Sequence, residues 1–291
     1  MIKFADNTTK QQVWDMWKTV FGDADSYMEL YFRTKYKNEN TLLYFEGNKA
    51  VASLQMLQFN FTFCNTEIPI YYLSGVSTLP DARKKGYMQQ LLIESYKVCY
   101  DRGIPMMLLV PQEEWLLNFY GKYGFAQTFD TGKETLIDIK ELLESHSNDI
   151  LAAYKEFDAL FRNQDMTVQK TYDDFKAIVD EAELWDYPEK KSLIGMARII
   201  DANMLLNIFA DKYPKVNLQI DVIDDLIPVN NTTYHINKGI VSTHVNNSLP
   251  IINVDIRQLA QLLLGYNTYI NDKDLSLTFP KKSPQMHFMM E

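Results

Sequence analysis

Gly75-Val76-Ser77-Thr78-Leu79-Pro80-Asp81-Ala82-Arg83-Lys84-Lys85-Gly86-Tyr87-Met88 is the stretch from which the fold is read. The apolar run Ile70 to Val76 leads into a turn at Pro80-Asp81. Three consecutive cations and a glycine follow, and an amphipathic run then opens with Met88-Gln89-Gln90-Leu91-Leu92. The pattern predicts a strand, a basic glycine-containing loop and the start of a helix. Such a loop presents backbone N–H groups and positive charge to a phosphate at a helix N-terminus. The glycine spacings of a Walker A loop and of a dinucleotide fingerprint are both absent. A basic turn by itself is usually a solvated surface feature, so its meaning depends on its neighbours.

Those neighbours arrive in a definite order. Met88 to Asp101 reads as a helix closed by Arg102-Gly103, with glycine where a left-handed residue ends a helix. Ile104 to Pro111 is a short apolar run bounded by prolines, the pattern of a buried strand. Glu113 to Phe125 reads as a short helix with acids first and Gly124 closing it. Upstream, Thr9 to Phe21 and Ser26 to Lys37 read as aromatic-rich helices. Thr41 to Glu46 and Ala50 to Phe59 read as strands joined by Gly47-Asn48, and Phe61 to Asn65 and Ile68 to Val76 as two more. Helices, antiparallel strands, helix, strand, helix imply an α+β domain with a mixed sheet covered by helices.

With 291 residues and 46% apolar content the chain accommodates two modest domains with real cores. A formal charge of −9 argues against a nucleic-acid surface, which needs a basic stripe. No apolar run approaches the roughly 20 residues of a membrane span, and the N-terminus lacks the apolar core of a signal peptide. The expected location is the cytoplasm. Cys64 and Cys99 read as reduced core residues, in a strand and a helix respectively. The histidines at 146, 235, 244 and 287 show no zinc-ligand spacing, so no metal is expected. His287, near the end of the chain, is expected to be exposed.

Residues 131–192 are acidic and helical in pattern and read as connector helices. Beyond 192 the pattern changes. Gly195 to Phe209 looks like a strand entering a helix with Asp201 as N-cap. Val216 to Val222, Thr232 to Ile236 and Gly239 to His244 read as strands, and Ile251 to Gly265 as a strand and a glycine-closed helix.

The spacing Arg83-x-x-Gly86-x-Met88 resembles the pyrophosphate loop of the GNAT N-acetyltransferases. Phe119-Tyr120-Gly121-Lys122-Tyr123-Gly124-Phe125 is similar to the ending of their fourth helix. Arg198 before a strand-to-helix turn, and Val254-Asp255 before a leucine-rich helix, are similar to the sterol-carrier-like end domain of Eis-type acetyltransferases. The resemblance implies a GNAT fold over residues 1–130, a helical connector over 131–192 and a smaller α/β sterol-carrier-like domain over 193–291. Eis-type enzymes carry a second, degenerate GNAT domain, for which this chain offers only residues 131–192.

The same resemblance implies acetyl-CoA as cofactor and an amine as acceptor, either a small molecule or a basic peptide, together with possible self-association. Val76, Ser77 and Thr78 would run along the pantetheine arm. Arg83, Lys84, Lys85, Gly86, Tyr87 and Met88 would cradle the pyrophosphate, Met88 standing where the family usually has Gly or Ala. Tyr120 falls on the family's helix-four tyrosine. A phenol of pKa about 10 remains protonated at neutral pH and donates to a departing thiolate. Eis-type enzymes deliver a C-terminal carboxylate as general base. The α-carboxylate of Glu291, with an intrinsic pKa of about 3.5, would be the corresponding group, on a tail apolar enough to dock. Trp14, Trp17, Phe21, Tyr27, Phe32 and Tyr36 are candidates for an acceptor pocket, with Asp23, Asp25 and Glu29 to attract a cation. Helical spacing leaves most of these aromatics in the core. Two rivals stay open: a non-catalytic acetyl-CoA-binding or sensing protein on the same scaffold, and a lipid-carrier role for the last domain.

Overall fold

The structure, a computed structural model, describes residues 1–132, 135–246, 248–268 and 273–290. The first sheet is built from β1 (Ile2–Phe4), β2 (Thr41–Glu46), β3 (Lys49–Phe63), β4 (Thr66–Thr78), β5 (Met106–Leu109), β6 (Ala126–Phe129), β7 (Thr167–Gln169) and β8 (Gly195–Ile199). Its order is β1-β2-β3-β4-β5-β8-β6, with β7 paired to the far end of β3. The β4–β5 pair is parallel, whereas β1 to β4 and β5-β8-β6 are antiparallel, so the sheet is mixed as expected.

β3 is one continuous strand, where the sequence suggested separate strands at 50–59 and 61–65. The period-two alternation runs unbroken through Asn60. The chain reverses instead at Cys64-Asn65, whose φ values of 52° and 63° match a primed hairpin turn. Cys64 therefore lies in that turn and Cys99 in a helix; both are buried free thiols.

Alternation along the strands gives the sheet two apolar faces. Leu57, Phe59, Phe61 and Tyr72 look toward α1 (Lys10–Val20) and α2 (Asp25–Thr34). Leu54, Met56, Leu73 and Met107 look toward α3 (Tyr87–Asp101) and α4 (Glu114–Gly121). On α1, Val13, Met16, Trp17 and Val20 recur at helical spacing and form the face laid on the sheet.

The connector folds as α5 (Ile139–Ser145), α6 (Ile150–Phe161) and α7 (Tyr172–Leu184) around their own small core. Asp138 and Asp149 cap the first two, and Thr171 with Asp174 forms a capping box on the third. After β8 come α8 (Ala202–Lys212), capped by Asp201, and a second sheet of order β11-β10-β9-β12. Its strands are β9 (Asn217–Ile223), β10 (Thr232–Asn237), β11 (Ile240–Ser242) and β12 (Ile251–Asp255). Asp255 caps α9 (Ile256–Leu263), which packs against β6 and β8.

β8 is the strand expected from Gly195 onward, but its place was not foreseen. It follows the connector in sequence yet lies between β5 and β6 of the first sheet. Its Arg198 is fully buried and donates through Nη2 to both carboxylate oxygens of Asp224, at 2.7 and 2.9 Å. Removing one member of a buried ion pair strands the other charge, which costs about 3–5 kcal/mol, whereas replacing both by apolar groups is often nearly neutral. Asp224 also accepts from Leu226 N, Ile227 N and Asn230 Nδ2, so Asp224→Ala should lower the denaturant unfolding free energy by at least about that amount.

Candidate active site

β4 and β5 pair at Tyr71–Met107 and Tyr72–Leu108, after which they part. β4 continues to Thr78, still bonded to β3 on one edge, and its other edge faces an opening. The β3–β4 register slips by one residue, with Gln55 opposite Ser74 but Ser53 opposite Ser77. Gly75, at φ +56°, sits in this bulge. A Cβ there would lie 2.7 Å from both Gln55 Nε2 and Trp17 Cζ3, so the bend requires glycine. Beyond the bend, Val76, Ser77 and Thr78 line a cleft of about 790 Å³.

The basic loop forms one end of this cleft. Arg83, Lys84, Gly86, Tyr87 and Met88 line it; Lys85 does not. Gly86 adopts φ +79° as the N-cap of α3, with no capping side chain and no acid in the first turn. The first intrahelical bond runs from Gln90 N to Gly86 O at 3.2 Å. The N–H groups of Tyr87, Met88 and Gln89 precede it and have no intrahelical acceptor. Arg83 is held by its Nε donating to Thr78 O at 3.3 Å. Lys85 turns the other way and pairs with Glu46 at 3.1 Å. The Tyr87 hydroxyl also donates to Glu46, and its ring stacks on Tyr44 at 4.2 Å. These two partners, Tyr87 first, hold the Glu46 carboxyl below its ordinary range.

Tyr120 reaches the cleft from α4. Its ring is 6% exposed and packs edge-on against Phe119 and Phe125 at 5.2 and 5.7 Å. Its hydroxyl has no hydrogen-bond partner among the described residues. Burial raises the phenol pKa above its usual value, which keeps the proton on oxygen.

The opposite wall comes from α1 and the turn after it: Trp17, Val20, Phe21 and Asp23. Trp17 Nε1 donates to Asp23 Oδ2 at 2.7 Å and so orients the carboxylate. Asp25 pairs with Lys18 on the surface, and Glu29 is exposed away from the cleft. Among the other aromatics proposed as pocket residues, Trp14 packs on Phe32, and Phe32 stacks on Tyr36, within the core. Several polar residues escaped the sequence reading. Ser74 lines the cleft, and the Tyr31 hydroxyl lies 2.9 Å from its Oγ and 3.1 Å from Gln55 Oε1. Gln55 Nε2 is buried without a partner among the described residues. Glu113, read from the sequence only as an acid opening the helix, stands at the head of α4, lines the cleft and accepts from Trp115 Nε1 at 2.8 Å.

Glu291 lies outside the described residues. The tail before it docks: Gln285 exchanges backbone hydrogen bonds beside β7, with Met166 O and Val168 N. His287 is 1% exposed and stacked on Phe161 at 3.8 Å, which corrects the expectation of an exposed histidine. Phe288, Met289 and Met290 are buried. The reason is apolar burial: an imidazole enters this interior in its neutral form, and desolvation pushes its pKa well down. Lys170 lies under the tail, its Nζ 3.0 Å from Met289 Sδ and 4.7 Å from the Phe59 ring centroid.

Among the described residues no helix is long and apolar enough to cross a membrane, and no cluster of His, Cys, Asp or Glu is arranged to hold a metal.

Residues 1–128 match the acetyltransferase (GNAT) domain and residues 206–274 the sterol carrier protein domain. No curated protein matches the chain by sequence. A GCN5-related N-acetyltransferase from Anabaena variabilis shares the fold with a TM-score of 0.70 at 14% identity, over 98% of both chains. A probable N-acyltransferase from Enterococcus faecalis V583 gives 0.66 at 16%, again over 98% of both. Eis1 from Mycobacterium abscessus gives 0.65 at 12%, over 98% of both. The chain is thus an acyltransferase enzyme on the GNAT fold. It joins a GNAT acetyltransferase domain to a sterol carrier protein domain, an architecture similar in fold to Eis1 throughout.

Burial lowers the Lys170 pKa from 10.5 to about 7; nearby Asp174 opposes the shift and Lys35 adds to it. Between these two values the unfolded chain holds a proton that the folded chain lacks, so folding stability rises with pH across that window. Below about 7 both states are protonated and the penalty for burying the charge is complete. Lys170→Met should therefore stabilise the protein at neutral pH by a few kcal/mol, the gain vanishing by about pH 10.5 in parallel denaturant titrations.

Proposed function

We propose that this enzyme moves an acetyl group from acetyl-CoA to a primary amine by direct attack in a ternary complex. The observation that carries the reading is a single cleft with an uncapped, cationic helix start at one end, a protonated phenol on one wall and a Trp-oriented carboxylate on the other. The cradle suits a pyrophosphate. Gly86 presents no side chain over the N-terminus of α3, the first-turn N–H groups lack intrahelical acceptors, and Arg83 and Lys84 add positive charge.

Acetyl-CoA supplies an activated acyl carbon in a thioester. The free edge of β4 at Val76, Ser77 and Thr78 aligns the pantetheine arm, and a main-chain N–H there polarises the carbonyl as negative charge develops on oxygen. The amine nitrogen, unprotonated when it attacks, bonds to the acyl carbon as the carbon–sulfur bond breaks, and Tyr120 donates its proton to the leaving sulfur. Asp23 draws a cationic acceptor, a small amine or a basic peptide, against Trp17 and Phe21. Glu291 is our candidate for taking the amine's proton. The thiols support direct transfer: burial pushes Cys64 up to about 12 and Cys99 higher still, and neither lines the cleft, so neither offers a thiolate nucleophile there.

Met88 favours a second reading, a sensor that binds acetyl-CoA without turnover, because its half-buried side chain lines the cleft where the family usually keeps Gly or Ala. Calorimetric titration with acetyl-CoA is expected to show binding that Arg83→Ala with Lys84→Ala abolishes; a wild type that does not bind would remove the proposal. Tyr120→Phe should keep that binding and lose about a hundredfold or more in turnover, followed as thiol release with polyamines or basic peptides. Full activity in Tyr120→Phe would exclude the phenol as the acid. Binding with no turnover on any amine would favour the sensor.

A further inference from the structure

The Arg198–Asp224 pair is built more elaborately than a brace between two sheets requires. Asp224 accepts from Leu226 N, Ile227 N and Asn230 Nδ2, at 3.1, 3.2 and 2.9 Å, besides Arg198. Asn230 in turn donates to Ile200 O and accepts from Ala202 N, at either side of the chain leaving β8. The carboxylate is therefore held from several directions before it meets the guanidinium. Arg198 uses Nη2 for this contact, while its Nε and Nη1 are buried with no acceptor among the described residues. Unpaired buried donors are costly and call for a reason.

The reason lies on the other side of the guanidinium. Its Cζ stands 5.0 Å from the ring centroid of Tyr96. It also lies directly against Gly124, where a Cβ would come within 2.8 Å of both Cζ and Nε. Gly124, at φ +81°, belongs to the turn that closes α4, in which Tyr120 O accepts from Tyr123 N at 2.9 Å and Phe125 N at 3.3 Å. Tyr96 meets the same turn, its hydroxyl donating to Tyr123 O at 2.8 Å. One flat cation thus supports the last turn of the tyrosine-bearing helix, directly at Gly124 and through Tyr96 at Tyr123. An apolar chain of similar volume would fill the space but would not be clamped in place by Asp224.

We infer that Arg198, held by Asp224, is a positioning residue for Tyr120, so that a loop of the sterol carrier domain sets the orientation of the phenol in the acetyltransferase cleft. The inference rests on the role proposed above for Tyr120. It makes the two domains one catalytic scaffold: the acyl-CoA end of the cleft belongs to the first, while the placement of its acid depends on the second.

The test compares full-length protein labelled with ¹³C-tyrosine as wild type, Asp224→Asn and Arg198→Lys. The Tyr120 and Tyr31 ring signals are identified by their loss in the corresponding phenylalanine variants. Asp224→Asn keeps the side-chain shape and removes the clamping charge. Arg198→Lys keeps a cation and removes the flat face against Tyr96 and Gly124. The Tyr120 signal should shift or broaden in both, while Tyr31, on the opposite face of the sheet, stays put. Acetyl-CoA affinity by calorimetry should remain within about twofold, because neither Arg198 nor Asp224 lines the cleft that the loop at Arg83 to Met88 borders. With a polyamine as acceptor, kcat should fall roughly ten- to a hundredfold at nearly constant KM for acetyl-CoA. If Asp224→Asn does not fold, Arg198→Lys decides alone. A wild-type Tyr120 signal in folded Arg198→Lys would overturn the inference and leave the pair a structural brace. Failure of the wild type to bind acetyl-CoA would count against the proposed function instead, and the ring signal would still decide the positioning.

Discussion

The parting of β4 from β5 is the constraint on which the rest depends. Two parallel strands that stay paired bury their edges and leave no room between them. Here pairing stops after Tyr72 and Leu108, and the bulge at Gly75 bends β4 away while it remains bonded to β3. The bend is enforced from behind, since Gln55 and Trp17 occupy the space any side chain at 75 would need. Each component of the candidate chemistry is then hung on one side of the opening. The basic loop follows the diverging strand, α4 follows the shorter one, and α1 closes the far wall.

Charge within the opening is arranged by burial as much as by composition. The phenol of Tyr120 is kept protonated because its surroundings disfavour a phenolate. The carboxylate of Asp23 stays at the cleft because the indole of Trp17 holds one oxygen. At the helix start the opposite device is used: Gly86 leaves donors uncovered and the first turn carries no acid. The net charge of −9 hides this local positive end entirely.

The second half of the chain is more than an appendage. β8 completes the first sheet between β5 and β6, α9 packs on both β6 and β8, and Tyr266 donates to Asp130 at 2.7 Å. The tail returns beside β7 and buries Met289 and Met290 in the same core that holds Trp17 and Tyr72. An enzyme assembled in this way cannot lose its sterol carrier domain without exposing the interior of its acetyltransferase domain.

Local chemistry was legible in the sequence. The hairpin at Gly47-Asn48, the caps at Asp201 and Gly103, the alternation along β4 and the loop from Arg83 to Met88 depend on residues close together in the chain. Turn, cap and period rules act at that range. Long-range pairing decided the remainder. Neither β8's place between β5 and β6 nor its fully buried arginine follows from the run Gly195 to Ile199, which would suit many sheets equally. Lys85 looks equivalent to its neighbours until Glu46, distant in sequence, takes it. Asp23 is one acid among several until the fold of α1 presents it beside Trp17. His287 reads as a terminal, solvated residue until Phe161 covers it. The sequence by itself determined which segments bend, cap and alternate, because those preferences are settled within a few residues by backbone sterics and local hydrogen bonds. Only the tertiary structure decided which side chains share a cleft and which charges are buried, because both follow from the desolvation and contact of groups far apart in the chain.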